Sequence, residues 1–305
     1  MLDPMAAYVI KFFENIPPPD PRVSVKEYRE KVNNIFREAA STLKEEVANV
    51  EDKTIKTKDS EIKIRIYQQR PWSPVMIYFH GGGFVFGDLE TYDPICKRIA
   101  RISNATVVSV DYRLAPEYKF PCAVKDAYNA LKFVVENADD IRVDADKIVV
   151  AGDSAGGNLA AVVSILCRDN GERWIKKQVL IYPVVNFLAP TPSLIYFRDG
   201  YGLLSSQLME WFTKQYLRND NDRSNPLASP IIAKLNDLPP ALIITAEYDP
   251  LRDEGEMYGI LMRKYGSEAS IVRYNGVVHG FINFYPILRA GKEAISQVAA
   301  SLFDL

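Results

Sequence analysis

The chain has 305 residues and a formal net charge of -2. Apolar side chains make up 48% of it and charged side chains 25%, which is typical of a globular protein with a sizeable core and excludes a disordered chain. Because the charge is nearly balanced, the sequence has no electrostatic footprint for nucleic acid, and we expect no nucleic-acid partner.

The N-terminal residues carry no pattern for export or membrane insertion. The apolar stretch 5–13 has no basic region before it and is interrupted by Lys11, unlike a signal peptide. No apolar run approaches the roughly eighteen residues that a transmembrane helix needs. These features predict a cytoplasmic protein without a membrane span.

The cysteines and histidines lack the spacing of metal ligands. Cys96, Cys122 and Cys167 are odd in number and widely separated, which predicts three reduced and mostly buried thiols. His80 and His279 are the two histidines, so a histidine-rich metal centre is excluded. Any imidazole chemistry must use one of these two side chains.

Two helices are predicted in the first fifty residues. An apolar helix covers about 5–13, and the proline-rich segment 17–21 ends it. Between Tyr28 and Val47, apolar residues recur at a helical period with charged residues on the other faces, as in an amphipathic helix.

A hairpin and a series of buried strands follow these helices. Segments 54–58 and 61–67 alternate apolar and polar residues around Asp59-Ser60, which predicts a two-residue turn at an antiparallel sheet edge. Later apolar runs, most of them followed by a loop and a helical pattern, indicate buried parallel strands. These runs are 75–79, 106–110, 147–151, 178–182, 241–245 and 269–274. The alternation predicts an α/β fold with a mostly parallel, doubly wound sheet.

One stretch interrupts the alternation of strands and helices. After residue 183 the chain is rich in proline, glycine and aromatic residues, and a helical pattern follows at 205–217. We interpret 184–225 as an insertion between two strands of the sheet. The chain then returns to strands and ends in a helix predicted at about 288–302.

The strongest motif is the pentapeptide 152–156, Gly-Asp-Ser-Ala-Gly, between a predicted strand and a helical pattern. In a G-x-S-x-G turn, the glycines permit the sharp strand-to-helix bend that exposes the serine hydroxyl. Ser154 is therefore the candidate nucleophile. The alternative is a serine that only caps the following helix.

A second glycine motif, His-Gly-Gly-Gly-Phe at 80–84, follows the strand predicted at 75–79. Acyl transfer needs hydrogen-bond donors for a tetrahedral oxyanion, and consecutive glycines let backbone N–H groups converge on one point. The N–H groups of Gly82, Gly83 and Ala155 are the candidates. The alternatives are a flexible turn or a phosphate-binding loop, although neither a dinucleotide fingerprint nor a P-loop ending is present.

The candidate base is His279, on a loop after the last predicted strand. His80 is the less favoured alternative, since a histidine beside a glycine loop more often hydrogen-bonds to the backbone. The carboxylate that orients the base should lie between serine and histidine in chain order. Asp249, at the carboxyl end of a predicted strand, is favoured over Asp253 and Glu254, which fall inside the next helix.

Five motifs in this order make the chain resemble the hormone-sensitive-lipase-like carboxylesterases, also called family IV esterases. The motifs lie at 80–88, 111–117, 152–159, 249–255 and 279–281. The resemblance implies an α/β-hydrolase fold with Ser154 as nucleophile, His279 as base and Asp249 as its orienting carboxylate. It also implies the same three oxyanion donors, and it makes the segment Asp-Tyr-Arg-Leu-Ala-Pro-Glu at 111–117 structural rather than catalytic.

The resemblance further implies a helical cap over the active site. The cap would comprise the N-terminal helices in 1–50 and the insertion 184–225. The catalytic α/β core would then be split into 51–183 and 226–305.

The predicted reaction is hydrolysis of a small-molecule carboxylic ester through an acyl-enzyme, without a metal or an organic cofactor. Large rings of the cap, Phe12, Phe13, Trp211 and Phe212, could line or plug an acyl tunnel. We therefore expect short to medium acyl chains, with an optimum near about four to eight carbons. The alternatives are an amide, peptide or lactone hydrolase with the same triad and, less favoured, a non-catalytic small-molecule receptor on this fold. Monomer or homodimer is left open.

Overall fold

The computed structural model describes residues 1–57, 60–201, 204–303 and 305, and the strands in this part of the chain form a single sheet. The strands are β1 (Asn49–Lys56), β2 (Glu61–Gln68), β3 (Ser73–Phe79), β4 (Thr106–Asp111), β5 (Val143–Asp153), β6 (Ile175–Ile181), β7 (Ala241–Tyr248) and β8 (Ala269–Val278). The helices are α1 (Pro4–Phe13), α2 (Val25–Ser41), α3 (Leu89–Ser103), α4 (Cys122–Glu136), α5 (Ala155–Asp169), α6 (Pro192–Tyr196), α7 (Ser206–Tyr216), α8 (Arg252–Lys264) and α9 (Arg289–Ala300).

The sheet has the order β1-β2-β4-β3-β5-β6-β7-β8. β2 pairs antiparallel with both β1 and β4, and the other neighbours pair parallel. Most positions of β3, β4 and β7 are buried, because helices cover both faces of the parallel part. The predicted fold class, a mostly parallel α/β sheet with an antiparallel N-terminal edge, is confirmed.

Helix α2 is shorter than the apolar pattern predicted. It begins with a capping box, in which the side chains of Ser24 and Glu27 each accept a hydrogen bond from the backbone N–H of the other residue. It ends at Ser41, although apolar residues continue at helical spacing to Val47. The hydroxyls of Ser41 and Thr42 donate to the carbonyl groups three residues earlier, and such local bonds compete with the helix. None of the helices in the described part of the chain is long and apolar enough to span a membrane.

The hairpin of β1 and β2 agrees with the predicted antiparallel pair. Its last paired residues are Lys56 and Glu61. The next pair of residues towards the turn is joined by a hydrogen bond of 2.8 Å from the N–H of Thr57 to the carbonyl of Ser60. The turn itself was predicted at Asp59-Ser60, and Asp59 lies outside the described residues.

The three cysteines are free thiols, as predicted. Cys96 on α3 and Cys167 on α5 are buried, and burial raises the pKa of both thiols. Since the thiolate is the reactive form of cysteine, both side chains serve in packing rather than in chemistry.

Candidate active site

Ser154 lies at the sharp turn between β5 and α5. Its backbone has φ 54° and ψ -115°, a conformation that costs a non-glycine residue about 1–3 kcal/mol. A Cβ atom on Gly156 would collide with the carbonyl group of Phe79, so the turn requires glycine there. The Ser154 hydroxyl caps none of the described N–H groups of α5, which removes the alternative of a purely structural cap.

A hydrogen-bonded chain of three side chains runs from Ser154 to Asp249. The Ser154 Oγ atom lies 3.1 Å from His279 Nε2, and His279 Nδ1 lies 2.7 Å from Asp249 Oδ2. The other oxygen of Asp249 accepts from the N–H of Leu251 at 2.8 Å. Assigned from this network, the proton of a neutral His279 sits on Nδ1 and leaves Nε2 to accept from the serine.

The carboxyls of Asp253 and Glu254 lie elsewhere, both within α8. Asp253 accepts from the N–H of Ser193 at 2.7 Å. Glu254 accepts from the N–H groups of Val185 at 2.7 Å and of Asn186 at 3.1 Å. Neither carboxyl is hydrogen-bonded to the described atoms of the His279 imidazole. Through its two backbone partners, Glu254 holds the loop that follows β6.

This role of Glu254 predicts a pH-dependent stability. Burial raises the pKa of Glu254 from 4.5 to about 8, so the folded protein keeps a proton that the unfolded chain releases. The free energy of unfolding should therefore fall as the pH rises from about 4.5 to about 8. Glu254→Gln keeps the accepting oxygen and has no proton to lose. In urea unfolding, the free energy of unfolding of the variant should rise relative to that of the parent protein as the pH increases across this window. The total change should be about 1.4 kcal/mol per unit of pKa shift. A stability difference that is independent of pH would contradict this account.

Two glycines of the loop present backbone N–H groups that have no partner among the described residues. Gly82 and Gly83 have φ values of 112° and 60°, and none of the described residues accepts a hydrogen bond from their N–H groups. A Cβ atom on Gly82 would meet the carbonyl of Phe86, and one on Gly83 would meet the ring of Phe212. Ala155 is the first residue of α5, where N–H groups lack helical partners and the helix dipole is positive.

One cavity brings the candidate residues together. Gly82, Gly83, Ser154 and His279 all contribute to its wall. Ala155 is buried beside Ser154 and does not line this cavity with its side chain. The cavity is small: the centre of a water molecule could occupy only about 40 Å³ of it.

Aromatic rings from three helices contribute to the wall of this cavity. Phe13 of α1, Phe36 of α2 and Phe212 of α7 line it. Phe13 and Phe212 were among the predicted rings, whereas Phe12 and Trp211 line neighbouring spaces instead. Phe36 was missed, although the amphipathic pattern had placed it on the apolar face of the second helix.

His80 has a structural role and supports the glycine loop. Its Nδ1 atom lies 2.7 Å from the carbonyl oxygen of Gly81, and its ring stacks on Tyr112 at 4.3 Å. Burial lowers its pKa to about 4, so the ring is neutral and Nδ1–H donates to Gly81. The Tyr112 hydroxyl donates to the carbonyl of His80 at 2.7 Å, which gives the segment 111–117 the structural role that the resemblance implied.

Asp153 is a positioning residue that the sequence reasoning missed. Its buried carboxylate accepts hydrogen bonds from the hydroxyls of Tyr78 and Tyr92 at 3.0 and 2.9 Å, and from the N–H of Gly81 at 3.0 Å. Burial raises its pKa to about 6 despite these donors. The carboxylate thus ties the serine turn to the glycine loop. An acid in the second position of the pentapeptide was the available signal.

The fold and this arrangement of serine, histidine and carboxylate define an α/β hydrolase. A family model described as the alpha/beta hydrolase fold matches residues 76–283, and the chain belongs to that family. An esterase structure from Pyrobaculum calidifontis is 50% identical with a TM-score of 0.94, covering 99% of this chain and 98% of its own.

Two curated relatives extend the comparison. An arylesterase of Saccharolobus solfataricus is 40% identical over 283 residues, 92% of this chain and 90% of the relative. Carboxylesterase NlhH of Mycobacterium tuberculosis is 38% identical over 250 residues, 80% of this chain and 78% of the relative. The predicted resemblance to hormone-sensitive-lipase-like carboxylesterases is confirmed.

Proposed function

We propose that this chain is a serine carboxylesterase that cleaves small-molecule esters through an acyl-enzyme on Ser154. The observation that carries the proposal is the hydrogen-bonded chain from Ser154 through His279 to Asp249, with distances of 3.1 and 2.7 Å. The names of the relatives, arylesterase and carboxylesterase, support the same reaction class.

In the first half of the reaction, the Ser154 oxygen attacks the ester carbonyl while His279 Nε2 takes the hydroxyl proton. The negative charge that develops on the carbonyl oxygen is stabilised by the N–H groups of Gly82, Gly83 and Ala155. One such donor is worth about 2.7–4 kcal/mol. His279 then gives its proton to the leaving alcohol, and the acyl group remains on the serine.

In the second half, a water molecule replaces the alcohol. His279 removes a proton from this water, the resulting hydroxide attacks the acyl-enzyme, and the carboxylic acid leaves as Ser154 regains its proton. Asp249 holds the imidazole in the required tautomer and stabilises the transient imidazolium. These steps need no metal and no organic cofactor.

We also propose that residues 1–50 and 184–225 form a cap on the catalytic core of 51–183 and 226–305. The cavity walls support this division, because Phe13 comes from the first segment and Phe212 from the second. The ring centroids of Tyr28 and Trp211 lie 5.3 Å apart, so the two segments also pack on each other. The small space beside Ser154 favours short to medium acyl groups.

A substrate panel tests the proposed function. Matched p-nitrophenyl esters, p-nitroanilides and lactones should give an ester preference of at least about 100-fold in kcat/KM, or about 2.7 kcal/mol. Ester hydrolysis should also fall on acidification, since His279 must be neutral to act as a base. Faster turnover of the amide or the lactone would favour the alternative hydrolase, and binding of the ester without any turnover would favour a receptor.

A further inference from the structure

A second apolar space, here called the side chamber, adjoins the active-site cavity. Its walls come from α1, α2, the first half of α3 and the segment 283–287. Phe36, Thr91 and Asn283 line both spaces, so the two spaces are neighbours. The volume open to the centre of a water molecule is about 250 Å³ in the side chamber, against about 40 Å³ beside Ser154.

The side chamber offers an uncharged surface. Its walls carry aromatic and aliphatic side chains, and none of its described lining residues is charged. Several of the polar side chains among them already have hydrogen-bond partners. The Thr91 hydroxyl donates to the carbonyl of Asp88 at 2.9 Å, and the Tyr285 hydroxyl to Glu45 at 3.2 Å. A polar ligand would find few free partners there, whereas a hydrocarbon chain would exchange contact with water for contact with apolar walls.

The Phe36 ring stands at the boundary between the two spaces. On the active-site side its centroid lies 6.2 Å from that of Phe86 and 6.5 Å from that of Phe13. On the chamber side it lies 6.0 Å from that of Phe12. Phe36 is half-buried, and it is the largest of the three side chains that line both spaces.

The side chamber also reaches the protein surface. Two of its lining residues, Tyr8 and Ile287, are 62% and 42% exposed. A chain that starts at Ser154 and passes the position of the Phe36 ring would therefore run along apolar walls towards solvent. Because the path begins at the serine, its natural occupant is part of the ester itself.

We propose that the side chamber binds the distal part of the ester's aliphatic chain, and that Phe36 sets the chain length at which the chamber is reached. This inference rests on the proposed esterase function. The shared chemistry is an unbranched hydrocarbon chain, carried either by the acyl group or by the alcohol. Each methylene that exchanges water for apolar wall gains about fourfold in kcat/KM.

The test is Phe36→Ala, assayed with p-nitrophenyl acetate, butyrate, octanoate and dodecanoate. We expect at least a tenfold rise, about 1.4 kcal/mol, in the preference of Phe36→Ala for dodecanoate over butyrate, whatever its rate on acetate. A second series, acetate esters of butanol to dodecanol, shows whether the alcohol chain responds instead. A gain in either series supports the proposal and identifies which part of the ester enters.

Two further variants make the result specific. Phe133→Ala removes another half-buried helical ring, on α4, that lines neither space, and it should leave the chain-length profile unchanged. Ala40→Phe, on the chamber wall one turn from residue 36, should cancel the gain of Phe36→Ala by filling the chamber.

Two outcomes would overturn the proposal. One is a Phe36→Ala profile identical to that of the parent protein in both series, and the other is a gain that persists when Ala40→Phe is added. In either case, acetate hydrolysis by the parent protein would still support the proposed esterase function. Absence of acetate hydrolysis in the parent protein would instead refute the function itself.

Discussion

Ser154→Ala should lower kcat by at least about 10⁴-fold while the fold is retained. Without the nucleophile no acyl-enzyme can form, and only oxyanion stabilisation and substrate binding remain, which are worth roughly 10³–10⁴ over water. The substitution also removes no capping bond from α5, so thermal unfolding should change little. Steady-state hydrolysis of p-nitrophenyl butyrate measures the effect.

Ser164→Ala is the matched control for this experiment. Ser164 is a buried serine of α5, the helix that follows Ser154, and its hydroxyl donates to the carbonyl of Ala160 at 2.8 Å. Ser164 does not line the active-site cavity. It should keep full activity. If Ser154→Ala hydrolysed the ester at a near-normal rate, the proposed mechanism would be wrong at its first step.

Asp249→Asn should lower kcat by about 10³–10⁴-fold. The amide oxygen can keep the bond from the Leu251 N–H, but the NH₂ group then faces His279 Nδ1 and can only donate. The neutral imidazole must then carry its proton on Nε2. In this tautomer Nε2 cannot accept the proton of Ser154. Binding of substrate should change much less, so the loss should fall on kcat rather than KM.

Asp253→Asn is the comparison for the carboxylate. Asp253 lies in the same segment, but its carboxyl accepts from the Ser193 N–H and pairs with Arg252. We expect less than about a tenfold effect on kcat, since no contact with the imidazole is lost. The reverse ranking of the two variants would mean that the orienting carboxylate has been misassigned.

The parallel sheet was predictable because each buried strand forms a short apolar run bounded by loops. All six later runs coincide with strands β3 to β8, within a few residues at their ends. The end of α2 was not predictable from periodicity. Apolar spacing continues past Ser41, and the outcome depends on local hydroxyl bonds that compete with the helix.

The candidate site was predictable to the extent that its residues sit in local motifs. Ser154 and His279 are 125 residues apart in the chain, yet each follows a strand, and the carboxyl ends of parallel strands meet at one edge of the sheet. The role of Asp153 and the position of Phe36 depend on side chains from distant segments. No periodicity encodes such contacts, and only the packed structure brings them together.

Labelling with an alkyl fluorophosphonate, followed by mass spectrometry of the digested protein, tests the central claim most directly. The reagent phosphonylates only an activated serine beside a functioning base and oxyanion site, as the serine oxygen bonds to phosphorus and fluoride leaves. The account predicts one equivalent of label, on Ser154, with parallel loss of ester hydrolysis and no labelling of Ser154→Ala. Label on a different serine, or loss of activity without label on Ser154, would contradict it.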